Sequence, residues 1–185
     1  LELLPLSIAE IENRSARTPE ILEFPDLRNT TSSMSLFEAM LRGGFPRIID
    51  RNLDPNTWLE AYVHTYIERD VRLISNVGNL DQFTTFVRLT AGRVGQLVNT
   101  ASLGSDAGVS HTTVAHRLSI LRASYITEPL IPHYKNFNKR LVKSSKLYFV
   151  DTGLLCFLLG IRRIEDLMSH PSRGAHPCAA PTAGA

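Results

Sequence analysis

The chain has 185 residues, of which 43% are hydrophobic and 21% are charged, a composition that supports a buried core and argues against global disorder. Its formal net charge is only +2, so binding to nucleic acid would depend on a local basic patch. The two cysteines and six histidines show no metal-ligand spacing, which argues against a metal site. No apolar run reaches the ~18 residues of a membrane span, so we expect a cytoplasmic protein without a membrane partner.

The first hundred residues predict short helices separated by loops. Two Ser-x-x-Glu segments have the spacing of a capping box, in which the serine and the glutamate satisfy each other's backbone N–H groups. A longer amphipathic helix begins at Asp54-Pro55, with proline at the first helical position, and is expected to reach about Ile74. The next helix opens near Asn79 and is expected to contain Gly92 and Gly95. The two capping boxes are Ser7–Glu10 and Ser35–Glu38.

Residues 99–122 predict two short helices joined by a tight turn. Thr100 is expected to cap the first helix, Gly108 to end it and Ser110 to cap the second. This is the plan of a helix-turn-helix, whose second helix can either enter a DNA groove or pack against a protein. The predicted buried stripe of the second helix consists of Val114, Leu118, Leu121 and Tyr125.

A basic segment without acidic residues follows the helix-turn-helix. Strands are expected over residues 126–134 and 147–150, so that the loop between them forms a wing. The basic residues of this segment are Lys135, Lys139, Arg140, Lys143 and Lys146. Asp151 then caps an apolar helix that Gly160 ends, and this capping role explains the residue better than a role as a catalytic acid.

The candidate nucleic-acid contacts lie on the second helix and in the wing. Hydroxyl, imidazole and guanidinium groups reach bases or phosphates, and lysine or arginine side chains hold phosphates. These candidate residues are Thr112, His116, Arg117, Lys139, Arg140 and Lys143. The alternative is that the same surface packs against a protein partner, since positive charges are sparse on the helix.

Several phrases, taken in order, resemble one protein family. They are LELLPLSIAEI, GGFPRIID, YIERDV, GQLVNTASLGSDAGVSHTTVAHRLSILRASYI, KRLVKSSKLYFVDTGL and SHPSRGA. The set resembles the bacterial and archaeal AAA-like ATP-binding proteins, in which a P-loop ATPase core precedes a winged helix and a domain of unknown function. The present sequence contains no G-x-x-x-x-G-K-[ST] loop and cannot hold ATP by that mechanism.

The resemblance implies that the chain is the C-terminal part of a larger protein. ATP and Mg²⁺ would bind to the missing ATPase core, and no cofactor is expected in this chain. Arg69 is a candidate arginine finger, which in the intact parent would stabilise charge on a transferred phosphoryl group. The alternative role for Arg69 is a structural ion pair with a carboxylate such as Asp70 or Asp151.

We therefore predict a mainly α fold with a small β-wing, in which a helical bundle is joined to a winged helix-turn-helix. The predicted segments are the end of the ATPase core and a linker (1–50), a helical segment (51–98), the winged helix-turn-helix (99–160), and a short helix with a disordered tail (161–185). The predicted function is a non-catalytic module that couples the nucleotide state of an ATPase to DNA or to a protein partner. The alternative is a free-standing winged-helix DNA-binding regulator.

Overall fold

A computed structural model describes residues 4–13, 34–66, 80–132 and 145–171 of the chain. Within these ranges, nine helices accompany one two-stranded antiparallel sheet, which confirms the prediction of a mainly α fold with a small β element. The helices are α1 (Ile8–Ile11), α2 (Leu36–Arg42), α3 (Pro46–Asp50), α4 (Pro55–Thr65), α5 (Leu80–Ala91), α6 (Thr100–Ala107), α7 (His111–Ala123), α8 (Thr152–Leu158) and α9 (Ile164–Ser169). The strands β1 (Thr127–Leu130) and β2 (Lys146–Phe149) lie between α7 and α8.

The helix starts predicted at Ser7, Ser35 and Asp54 are confirmed. Ser7 and Ser35 each cap a helix within a complete capping box, because the glutamate at the third helical position returns a bond to the serine N–H. Asp54 caps α4 by accepting the Thr57 N–H at 2.8 Å. The predicted continuation of α4 to Ile74 lies beyond Tyr66 and outside the described residues.

Three local predictions are wrong in detail. Helix α5 ends at Ala91, so Gly92 and Gly95 lie in the following turn, where Gly95 adopts a positive φ of 73°. The residue that caps α6 is Asn99 and not Thr100, because the Asn99 side chain accepts the Ser102 N–H. Helix α7 ends at Ala123, so Tyr125 lies beyond it.

The predicted buried stripe of α7 is also only partly correct. Val114 and Leu121 are buried, as predicted, but Tyr125 is 51% exposed. Tyr125 has a positive φ of 55° and turns the chain from α7 toward β1, so its side chain leaves the helical face. Ile120 and Arg117 occupy the buried positions in its place.

One hydrophobic core extends across the segment boundaries predicted at residues 50 and 98. Its buried members include Ile48, Leu59, Phe83, Phe86, Val114, Leu121, Phe149 and Leu155. Helix α8 is central to the packing and contacts α2, α4, α5 and β2. A smaller cluster of Met40, Cys156, Ile161 and Leu167 packs α9 and α2 against the other side of α8. Among the described residues, the segments therefore share cores and do not form separate packing units.

The sheet is a hairpin with a further extended segment along one edge. In the β1–β2 register, Thr127 lies opposite Phe149 and Leu130 lies opposite Lys146. Leu97 forms a β-bridge with Lys146 from the other side, and the Val98 N–H donates to the Ser145 carbonyl at 3.0 Å. The short connection between α5 and α6 thus lies beside β2.

A buried carboxylate connects the end of β2 to the turn between α2 and α3. Asp151 is 3% exposed and accepts the N–H groups of Gly44 and Leu154, each at 2.7 Å. A Cβ atom on Gly43, which has a φ of 69°, would lie 2.6 Å from the Asp151 carboxylate, so only glycine fits this contact. Burial raises the pKa of Asp151, and the backbone N–H donors oppose that increase.

Candidate nucleic-acid interface

Helices α6 and α7 are joined by a tight turn that local sequence determines. Gly108 ends α6 in the left-handed conformation, with φ of 64°, and the Val109 N–H returns to the Gly104 carbonyl at 2.9 Å. Gly104 is required because a Cβ atom there would lie 2.6 Å from the Val109 carbonyl oxygen. Ser110 then caps α7 by accepting the Thr113 N–H at 3.1 Å.

The outward face of α7 is polar and contains no acidic residue. The Thr112 hydroxyl lies 2.8 Å from Ser110 Oγ, and the Ser119 hydroxyl donates to the His116 carbonyl at 2.7 Å. Hydroxyl and imidazole groups of this kind can donate to or accept from base edges. The exposed residues of α7 are His111, Thr112, Ala115, His116, Ser119, Arg122 and Ala123. The structure therefore brings predicted contacts Thr112 and His116 onto one accessible helix.

Arg117 does not belong to that surface. The residue is 6% exposed, and its guanidinium carbon lies 5.7 and 5.5 Å from the ring centroids of Phe83 and Phe86. Arg117 Nη2 donates to Gln82 Oε1 at 2.9 Å, whereas Nη1 has no hydrogen-bond partner. The prediction that Arg117 contacts nucleic acid is therefore corrected, because its side chain points into the α5–α7 interface. The cation–π contacts there offset part of the free-energy cost of removing the guanidinium group from water. Burial also lowers the Arg117 pKa.

Two surface ion pairs flank the α7 face. Arg122 Nη2 lies 3.5 Å from Glu128 Oε1 of β1, and both side chains are more than half exposed. Arg93 pairs with Asp106 of α6. Exposed pairs of this type contribute little stability and exchange readily with other partners, so Arg122 can move from Glu128 to a phosphate.

The wing residues Lys139, Arg140 and Lys143 lie outside the described residues, as does the candidate arginine finger Arg69. The described residues on either side of the basic segment end at Pro132 and begin again at Ser145. Lys146, the basic residue of the segment that the structure does describe, is exposed on β2 between Leu97 and Leu130. No pattern in the sequence predicts this three-residue row, since the Leu97 bridge depends on a contact between residues distant in the chain.

The described ranges lack both a metal-binding cluster and a membrane-spanning helix. They contain no group of three or more histidine, cysteine, aspartate or glutamate side chains placed to hold a metal ion. They also contain no helix of the length and apolar character that crossing a bilayer requires.

Comparison with known proteins places the chain in a family. Residues 33–165 match the family described as Domain of unknown function (DUF8612), and the chain belongs to this family. The matched range begins just before α2 and ends within α9, so it includes helices α6 and α7 and the β1–β2 hairpin.

Two curated relatives extend this comparison. The chain is 34% identical over 140 residues to the uncharacterized protein Mb2031c of Mycobacterium bovis and, to the same extent, to the uncharacterized protein Rv2008c of Mycobacterium tuberculosis. Each alignment covers 73% of this chain and 31% of the relative, so the chain spans about a third of the length of these relatives. No solved structure matches the chain.

Proposed function

We propose that this chain is a non-catalytic module of a larger ATP-binding protein of the AAA-like class, in which it couples the nucleotide state to DNA. The observation that carries the proposal is the accessible, acid-free face of α7, adjoining a hairpin whose connecting segment is basic. A polar helix face can read base edges, and lysine and arginine residues beside it can neutralise phosphates. The ATP that is hydrolysed, and its Mg²⁺, would bind to the ATPase part of such a protein.

The order of elements supports a winged-helix interpretation. Helix α5 is followed by the extended segment at Leu97, then by α6, α7 and the β1–β2 hairpin. In a winged helix the second helix of the helix-turn-helix reads the major groove, and the hairpin contacts the backbone beside it. Placing α7 in a groove would bring Thr112 and His116 toward the bases. The proposal assigns phosphate contacts to Lys139, Arg140 and Lys143 from their charge and their position in the sequence between β1 and β2.

A short chain of contacts supports coupling between this surface and the N-terminal segment. Strand β2 runs into Asp151 after a single intervening residue. The Asp151 carboxylate accepts the Gly44 N–H, and the Gly44 carbonyl accepts the Leu6 N–H at 2.7 Å. The hairpin that carries the basic segment is therefore two hydrogen bonds away from the segment that would join an ATPase core.

The experiment is a titration of a labelled mixed-sequence duplex, followed by fluorescence anisotropy over a salt series. The expected result is binding that weakens steeply with salt, because bound phosphates release counterions. Lys139→Ala/Arg140→Ala is expected to reduce the slope of log K against log [salt] by about 2, one for each phosphate contact removed. Thr112→Ala/His116→Ala is expected to weaken binding with a smaller change in slope.

A charge-matched control separates a specific surface from general charge. Arg47→Ala/Arg51→Ala removes two exposed positive charges from the α3 region and is expected to leave DNA affinity almost unchanged. Equal losses in the two double variants, or no binding at low salt, would contradict the DNA interface. The coupling is tested with a full-length mycobacterial relative, whose DNA affinity is expected to change when ATP is added. A DNA affinity that does not change when ATP is added would favour the alternative, a free-standing DNA-binding regulator.

A further inference from the structure

Two neighbouring cavities form one groove between α2, α4, α5 and the loop after α8. Their volumes are about 570 and 530 Å³, each within the range of small-molecule sites. Both cavities are lined by Asn56 and Arg162, so these two residues lie where the cavities meet. Arg42 lines the first cavity and Arg88 lines the second. None of the lining residues belongs to α7.

Arg162 is held in place at the centre of this groove. Its Nη1 donates to the Phe157 carbonyl at 2.7 Å, and its guanidinium carbon lies 4.0 Å from the centroid of the Phe157 ring. These two contacts fix the plane of the guanidinium group and leave further N–H donors for a ligand, since arginine has five. A fixed cation loses less conformational entropy when it binds an anion than a free side chain does.

Three arginines and three carboxylates line the groove, and two of the arginines, Arg88 and Arg162, line the same cavity. Burial lowers the Arg162 pKa and the positive charge of Arg88 lowers it further, whereas Glu60 and Cys156 oppose this effect. No ion pair to a described acidic residue engages Arg42, Arg88 or Arg162. Two guanidinium groups thus face one cavity and repel each other.

The three acidic residues that line the groove are Glu38, Glu60 and Asp81. The Glu38 carboxylate accepts the Ser35 N–H at 2.9 Å in the capping box of α2, and Asp81 lies in the first turn of α5, where the helix dipole favours a negative charge. Glu60 is the acid whose charge acts on Arg162. An anion placed between Arg88 and Arg162 would relieve the repulsion between these cations without displacing a salt bridge.

We infer that this groove binds the phosphate group of a small anion between Arg88 and Arg162, with the Asn56 amide as a neutral donor. Phosphate suits the pair because arginine presents two parallel N–H donors that match its oxygens. The phosphate can come from free phosphate or pyrophosphate, or from the end of a nucleotide. The inference does not depend on the proposed DNA interface, since the two sites share no residue.

The test is isothermal titration of the chain with inorganic phosphate, pyrophosphate and ATP in separate experiments. We expect saturable binding of one of these anions to one site. Arg88→Met is expected to weaken binding by about tenfold or more, the effect of losing one charge-assisted contact. Arg88 is exposed, so this variant should fold normally. Arg51→Met, which removes an exposed arginine outside the groove, is the matched control and should bind like wild type.

Arg162 supplies the second variant. Arg162→Lys keeps the charge but loses the planar fork, and it is expected to weaken binding while the thermal unfolding midpoint stays close to that of the wild type. Tighter binding of ATP than of pyrophosphate would identify a nucleotide, and equal binding would identify the phosphate group alone. No saturable binding of any of the three anions, or binding that Arg88→Met and Arg51→Met weaken equally, would overturn the inference, whatever the result of the DNA titrations.

Discussion

Replacing Asp151 with alanine should destabilise the fold far more than removing an ordinary helix cap. The Asp151 carboxylate receives the Gly44 and Leu154 N–H groups at 2.7 Å and also interacts with the Gly153 N–H. It is 3% exposed, so water cannot easily replace these bonds. Each buried N–H left without a partner costs about 1–3 kcal/mol.

The expected loss for Asp151→Ala follows from these contacts. At least two N–H groups would lose their acceptor, so the free energy of unfolding should fall by roughly 2–6 kcal/mol. The substitution also removes the free-energy cost of burying a carboxylate. This gain offsets part of the cost of the unpaired N–H groups, and the lower end of the range allows for it. A loss of this size is a large fraction of the total stability of a small domain.

Urea unfolding monitored by circular dichroism measures this difference, and Asp54→Ala is the matched control. Asp54 also caps a helix through its carboxylate, but it is exposed, so its loss should reduce the free energy of unfolding by only about 0.5–2 kcal/mol. The reasoning is refuted if the two variants lose the same stability with unchanged m-values. That outcome would mean that the buried N–H groups find other acceptors.

Three further outcomes follow from the structure. Gly44→Ala should strongly destabilise the fold, because its Cβ would overlap the Leu6 carbonyl oxygen. Gly108 has open space around it but a φ of 64°, so Gly108→Ala should reduce the free energy of unfolding by only about 1 kcal/mol. Urea unfolding of the two variants measures the difference. Arg117→Met should change the free energy of unfolding by less than about 1.5 kcal/mol, since it keeps the packing on the two phenylalanine rings and removes a buried charge. It should also leave DNA affinity unchanged in the anisotropy assay. A large loss of affinity would show that Arg117 does contribute to the DNA interface. Burial raises the pKa of Asp151 in the folded state. Between the pKa of the unfolded chain and that of the folded state, the folded protein therefore keeps a proton that the unfolded chain has lost. As pH rises through this range, wild type should lose stability relative to Asp151→Asn, which does not titrate. The opposite trend in urea midpoints across pH would mean that the N–H donors outweigh burial.

The sequence predicted features that depend on neighbouring residues. The capping serines at positions 7, 35 and 110, and the glycine that ends α6, act through bonds within one helical turn. Composition and spacing therefore reveal them directly. The position of a helix end is less certain when several neighbouring residues could cap or end the helix. This explains the error of one residue at Asn99 and of several residues at the end of α5.

Arg117 illustrates what the sequence could not predict. A basic residue within a helix is normally expected on the surface, and the contacts that bury it come from α5, about 35 positions earlier in the chain. Gln82 supplies the hydrogen bond, and the rings of Phe83 and Phe86 supply the cation–π contacts. Nothing in the sequence around position 117 indicates these partners, so its burial depends on the tertiary fold.

The phosphate groove was missed for the same reason, and its position makes the two proposals separable. Arg42, Arg88 and Arg162 are distant in sequence and form no motif, so only the packing of α8 against α2, α4 and α5 brings them around one groove. Thr112 and His116 lie on α7, which contributes no residue to that groove. Two independent sites would therefore be established if an Arg88 variant lost phosphate binding but kept DNA binding, and a His116 variant lost DNA binding but kept phosphate binding. If one variant abolished both activities while the chain stayed folded, the two surfaces would instead be coupled through the shared core, to which α5 and α7 both contribute.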